Sequence, residues 1–163
     1  MIPNDLDKEL LASQHNRERN WVKLIFVMKR QLDAWASEAI VCQGFEDFKL
    51  GHMPLLMNIA PEGITNTELA KKARVTKQAM SKVVNELLDL GYIDTIVHDS
   101  DKRSSVIRLT DKGKQLVITA RKCVSKLEAT YEKTFGKKHF EEAKDMLLQV
   151  IKYNEENLTQ DNT

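Results

Sequence analysis

Cysteine and long apolar runs are both scarce in this sequence. Cys42 and Cys123 are the only cysteines among 163 residues, and they lie far apart and outside any CxxC spacing. That argues against a disulfide scaffold and fits a reducing compartment. No apolar stretch approaches the ~20 residues that a membrane span requires, and the opening MIPNDLDKEL is polar and acidic rather than a charged start followed by an apolar run. The expectation is a cytoplasmic protein with no membrane partner. Reaction chemistry is missing as well. His15, His52, His98 and His139 show neither HExxH nor Cys/His ligand spacing and read as surface or helix-end histidines. There is no GxSxG and no phosphate-cradling glycine loop, and the carboxylates are scattered among lysines, as on solvated helix faces. An enzyme, a metal site and a bound cofactor are therefore not expected. Even charge is lacking: a net +1 gives little overall support for nucleic acid as a partner.

What is present is apolar content, 42% of the chain, which suffices for one domain plus extra helices without metal or disulfide staples. The stretch Ile64 to Gly113 organises the rest. Thr65 followed by Glu68 is a capping box, so a helix starts near Asn66 and carries Leu69, Ala70 and Ala73 on one face. Val75 sits in a connection of about three residues before Thr76, a second N-cap. From there Ala79, Met80, Val83, Val84, Leu87, Leu88 and Leu90 form an apolar stripe, with Lys77, Gln78, Ser81, Lys82 and Asn85 on the opposite face. Gly91 stops this helix. Tyr92–Val97 and Ser105–Leu109 are rich in β-branched and aromatic residues around the polar His98–Ser104, which reads as a hairpin. Helix, tight turn, helix and hairpin in this order describe a winged helix-turn-helix, a DNA-binding module.

Local charge supports that reading better than the total does. Lys71, Lys72, Arg74, Lys77 and Lys82 fall within twelve residues that contain no carboxylate. An ordinary solvated helix surface is the competing explanation on charge alone.

The flanks are helical. From Asp5 to Val41 the pattern Trp21, Leu24, Ile25, Met28, Leu32, Trp35, Ala36 and Ala39 runs without Gly or Pro, and one continuous helix there would be on the order of 50 Å long. So long a stripe needs a surface beyond its own core, and a second subunit is the simple candidate. Gly44 and Gly51 break the next stretch around Phe45 and Phe48, and Pro54 starts a helix through Asn58 and Ile59. Thr110 caps a long helix bearing Leu116, Val117, Ala120, Cys123, Val124, Leu127 and Tyr131, ended by Phe135 and Gly136. A last helix from about Lys138 to Asn157 places Phe140, Ala143, Met146, Leu147, Val150 and Ile151 on a stripe.

Two segments carry a family resemblance. Asp99–Gly113, DSDKRSSVIRLTDKG, resembles the wing of the MarR family of bacterial transcription regulators, with its acidic-x-acidic-x-Arg turn and the Leu-Thr-x-x-Gly that opens the next helix. Thr67–Ile93 is similar to the family's helix-turn-helix without a gap. The resemblance implies a mainly α fold with a small β-hairpin wing: a single MarR-like domain over 1–163, its winged helix-turn-helix in 50–113, flanked by N- and C-terminal dimerisation helices in 5–41 and 111–157. It also implies a cytoplasmic homodimer, a repressor, that binds double-stranded DNA at a pseudo-palindromic operator, with release by a small-molecule effector left open. A protein-interaction module without specific DNA binding is the alternative. Leu50–Leu55, LGHMPL, departs from the family's Leu-Thr then Gln pattern in a region that often borders the effector pocket, so no ligand class is carried over.

Residue roles follow from chemistry. On the second helix, which Thr76 caps, Gln78 can read an adenine, Lys77 a guanine or a phosphate, and Asn85 shares their face. Ser81 and Lys82 suit phosphates, and Thr65 and Thr67 can meet the backbone from the preceding helix start. At the wing, with Asp101 and Lys102 beside it, Arg103 would lie in or along the minor groove. Asp101 would orient that guanidinium or simply pair with it. An effector pocket from Phe26, Trp35, His52 and Met53, with Trp21 nearby, competes with the reading of such aromatics as core or dimer interface. Some relatives implied by the resemblance sense oxidants through a cysteine, but Cys42 and Cys123 read here as buried packing residues.

Overall fold

A computed structural model describes residues 5–13, 17–73, 75–97 and 105–157. The N-terminal helical run is not continuous. Helix α1 spans Asp5–Ser13, a single 3-10 turn covers Arg17–Arg19, and α2 spans Trp21–Val41. Asn20 accounts for the fresh start: its backbone is extended (φ −63°, ψ 122°) and its side chain accepts a hydrogen bond from the Lys23 amide at 3.0 Å. A short amide side chain satisfies an orphan helix donor as well as Ser or Asp would, so no Gly or Pro is needed for the break. At 21 residues, α2 is about 30 Å long rather than the expected 50.

After a 3-10 turn at Leu50–His52 comes α3, Met53–Leu56, with Pro54 in its first turn. It ends three residues earlier than expected. Asn58 and Ile59 bond back to Leu55 and Leu56 in tight i to i−3 turns, and the Asn58 amide also donates to the Pro54 carbonyl at 2.7 Å. Strand β1, Ile64–Thr65, precedes α4, Asn66–Lys72, and α5, Lys77–Asp89. The hairpin is β2, Ile93–Val97, and β3, Ser105–Leu109, and α6 begins at Asp111.

The hairpin belongs to a three-stranded antiparallel sheet of order β1-β3-β2. Ile64 pairs with Ile107 and Thr65 with Val106, while Ile93 to Val97 run opposite Leu109 to Ser105. Gly63, at φ +98°, turns the chain into β1 where Val106 and Arg108 of β3 leave no room for a Cβ. Leu56, Leu69, Met80, Leu87, Tyr92, Ile107 and Leu116 are the large side chains below 2% exposure, and they come from α3, α4, α5, the turn into β2, β3 and the head of α6. Each such side chain contributes about 1.5–3 kcal/mol by leaving water, so the two helices and the wing are held by one core.

The chain divides into two compact units, Met1–Val117 and Ile118–Thr163. In the second, α6 continues to Phe135 and α7 spans Lys137–Asn157, joined at Gly136 (φ +87°). Tyr131 packs its ring 6.0 Å from Phe135 and 5.6 Å from Phe140 across that turn. No residue of α7 is buried: Met146, Leu148, Ile151 and Tyr153 are 54–63% exposed.

Candidate nucleic-acid interface

Both helix starts in the module are fixed by threonine. The Thr65 hydroxyl accepts from the Glu68 amide (3.2 Å) and donates to the Glu68 carboxylate (2.8 Å), which also accepts from the Thr65 amide (3.1 Å). The Thr65 hydroxyl holds the Glu68 carboxyl below its usual range. Thr65 is thus spent on the cap, while Thr67 is exposed two residues on. Thr76 caps α5 by accepting from the Ala79 amide at 3.1 Å. Between the helices Val75 is 45% exposed and donates its amide to the Ala70 carbonyl.

The polar face of α5 is open. Lys77, Gln78, Lys82 and Asn85 are exposed, while Met80, Val84 and Leu87 are buried on the other side. Two residues sit differently from the sequence reading. Ala79, expected in the apolar stripe, is exposed between Gln78 and Met80. Ser81 is half-buried, donates to the Lys77 carbonyl at 2.9 Å and accepts from the Asn66 amide at 3.0 Å, so its hydroxyl ties α4 to α5 instead of lying free. Asp101, Lys102 and Arg103, with His98, lie outside the described residues, as do His15 and Arg74.

Negative charge is confined to the far end of α5. Glu86 accepts from Lys49 at 2.8 Å, which lowers its pKa, and His52 stands 3.5 Å away. Burial pushes the His52 pKa down, so the ring is neutral near pH 7. The first half of α5 therefore offers two lysines and the Gln78 amide beside a helix N-terminus that carries no carboxylate, an arrangement suited to phosphates and base edges.

Comparison with known proteins agrees with this geometry. Residues 46–104 match the model of the MarR family. This stretch is similar to MarR-family regulators. An HTH-type transcriptional regulator of Mycobacterium tuberculosis is 32% identical over 74 residues, 45% of this chain and 52% of its own length. The chain thus spans about half the length of the curated relatives that it matches first. A crystal structure of a MarR family transcription regulator superposes with a TM-score of 0.74 at 16% identity, covering 92% of this chain and 98% of that one. Streptococcus pneumoniae FabT, solved in complex with DNA, gives 0.70 at 19% identity over 87% of this chain and 98% of its own.

Around this winged module the other candidate residues scatter. Phe26 is 69% exposed on α2 and Trp35 is half-buried, while Met53 is a core residue and His52 faces Glu86 and the Phe48 ring. A cleft of about 430 Å³ beside α4, lined by Glu62, Gly63, Glu68, Lys71 and Lys72 among others, contains none of those four. Cys42 is exposed at the end of α2 and Cys123 is half-buried, so neither is the buried packing residue expected. Among the described residues no His, Cys, Asp and Glu group could hold a metal ion, and no helix is long and apolar enough to cross a membrane. Sequence reasoning missed Asn66, whose amide meets Ser81, and the Asp47, Tyr92 and Lys112 cluster behind α5. Only the Leu-Thr-x-x-Gly pattern around Lys112 marked that place.

Proposed function

We propose that this chain is a sequence-specific transcription regulator that acts in the cytoplasm as a homodimer on a pseudo-palindromic DNA operator, with no enzymatic role. The observation that carries the reading is α5: one face is locked into the core by Met80, Val84 and Leu87, and the other presents Lys77, Gln78, Lys82 and Asn85 to solvent. A rigid helix with an open polar and basic face fits the major groove, where side-chain amides discriminate base edges. Gln78 is the base reader, Lys77 and Lys82 bind phosphate or guanine, and Thr67 meets the backbone. Arg103, supported by the wing motif of the sequence, serves the minor groove. The FabT complex supports DNA as the partner of a protein with this fold.

Exposed apolar side chains support the dimer. In the first unit Leu6 and Leu10 of α1 and Trp21 and Phe26 of α2 are 49–73% exposed, and in the second α7 buries none of its stripe. Apolar surface of this extent marks an interaction site. The test is fluorescence anisotropy of the purified protein with a labelled duplex of random sequence across salt concentrations. Affinity is expected to fall by about a thousandfold between ~50 and ~200 mM salt, as phosphate neutralisation demands. Weak binding with no salt dependence would instead favour a protein-interaction module.

A further inference from the structure

The C-terminal end of α5 is closed in an unusual depth of detail. Gly91 adopts φ +71°, its amide donates to the Leu88 carbonyl at 2.9 Å, and the Tyr92 amide donates to Leu87 at 3.0 Å, a Schellman cap. The next carbonyls are taken by the head of α6. Lys112 Nζ donates to the Leu90 carbonyl at 2.9 Å, the Thr110 hydroxyl donates to Gly91 at 2.7 Å, and the Thr110 amide donates to Tyr92 at 3.1 Å. Lys112 does more than cap. Its ammonium also donates to Asp47 Oδ2 at 2.7 Å and lies 4.2 Å from the centre of the Tyr92 ring. The other Asp47 oxygen accepts from the Tyr92 hydroxyl at 2.5 Å, and the fully buried Tyr92 packs 5.2 Å from Phe48. Three chain segments thus meet at one ammonium: the loop before α3, the end of α5 and the start of α6.

We infer that Lys112, held by Asp47, is a positioning residue that fixes the angle at which α5 presents Gln78 and Lys77 to bases. The inference rests on the DNA-binding reading above and names a residue remote from the DNA face. Its logic is geometric. The N-terminal half of α5 carries the base-reading side chains, and a helix pinned at its far end by three donors cannot tilt. Base-edge hydrogen bonds need a fixed orientation, whereas phosphate attraction tolerates a small tilt. Lys112 sits at the end of α5 opposite Lys77 and Gln78, about 20 Å along the 13-residue helix, so the single charge lost with it is largely screened from DNA held there.

The test uses a duplex enriched from a random pool by the wild-type protein and a scrambled duplex of equal length, both read by anisotropy, with thermal melting of each variant alongside. Lys112→Met keeps the aliphatic stem over Tyr92 and removes the donors. It is expected to lose about tenfold on the enriched duplex and less than about twofold on the scrambled one. Lys112→Arg, which retains a cation and donors, is expected to stay within about threefold of wild type. Asp47→Asn keeps an acceptor for Tyr92 while releasing the ammonium, so it gives the same split even if Lys112→Met does not fold. The Asp47→Asn/Lys112→Met pair is expected to be no worse than either single change, because both break one unit. Undiminished affinity of Lys112→Met for the enriched duplex, or an equal loss on both duplexes, would overturn the inference. Failure of the wild-type protein to enrich any duplex would sink the DNA-binding reading itself, and this one with it.

Discussion

At Gly113 the requirement is space. A Cβ there would stand 2.0 Å from the Tyr92 carbonyl oxygen and 3.2 Å from a Leu109 methyl. Backbone cannot yield as a side-chain tip can, so Gly113→Ala is expected to destabilise the module by roughly 3 kcal/mol, at the upper end of overpacking costs. Thermal unfolding would show it, and an unchanged melting temperature would refute the close approach of α6 to Tyr92. His52 gives a pH effect. Its Nδ1 is buried without a hydrogen-bond partner and its pKa is lowered from 6.5, chiefly by burial. A base with a depressed folded-state pKa leaves the unfolded chain binding more protons below 6.5, so stability is full above that value and is lost as pH falls towards the folded pKa. Melting between about pH 7.5 and 5.5 is expected to drop more for wild type than for His52→Gln, and equal drops would assign the effect to other groups.

Elements divide into those that local chemistry specifies and those that tertiary contacts decide. The caps of α4 and α5 were legible at Thr65, Glu68 and Thr76 because capping acts over three residues, and Gly91 and Gly136 announced their helix ends by the same locality. Strand β1 was not legible: two residues form a strand only because β3 offers Ile107 and Val106 as partners. Nor was the break before α2, where Asn20 looks like any polar residue in an amphipathic run. On the polar face of α5 periodicity marked Lys77, Gln78, Lys82 and Asn85 as exposed, as they are, but placed Ser81 among them because it cannot see Asn66 across the helix pair. That distinction leads to a contrast on α5. Lys82→Ala is expected to flatten the salt dependence of DNA binding by about one unit of slope, whereas Gln78→Ala is expected to relax sequence preference at a cost of ~1–3 kcal/mol with the slope intact. Titrations at several salt concentrations separate the two, and identical behaviour of both variants would remove Gln78 from base readout.

For the whole molecule, the two units each expose apolar helix surface that neither covers by itself, from Leu6 and Phe26 in the first to Leu148 and Ile151 in the second. A reader built as a pair makes sense of that surface and of a single short recognition helix, since one 13-residue α5 contacts few base pairs and two together specify a site. The most direct measurement is selection of bound duplexes from a random pool by the purified protein, followed by sequencing. The account expects one enriched motif made of two inverted half-sites whose centres lie about one helical turn, or 10 base pairs, apart. A pool that emerges unenriched, or a single asymmetric site bound by one copy, would contradict it.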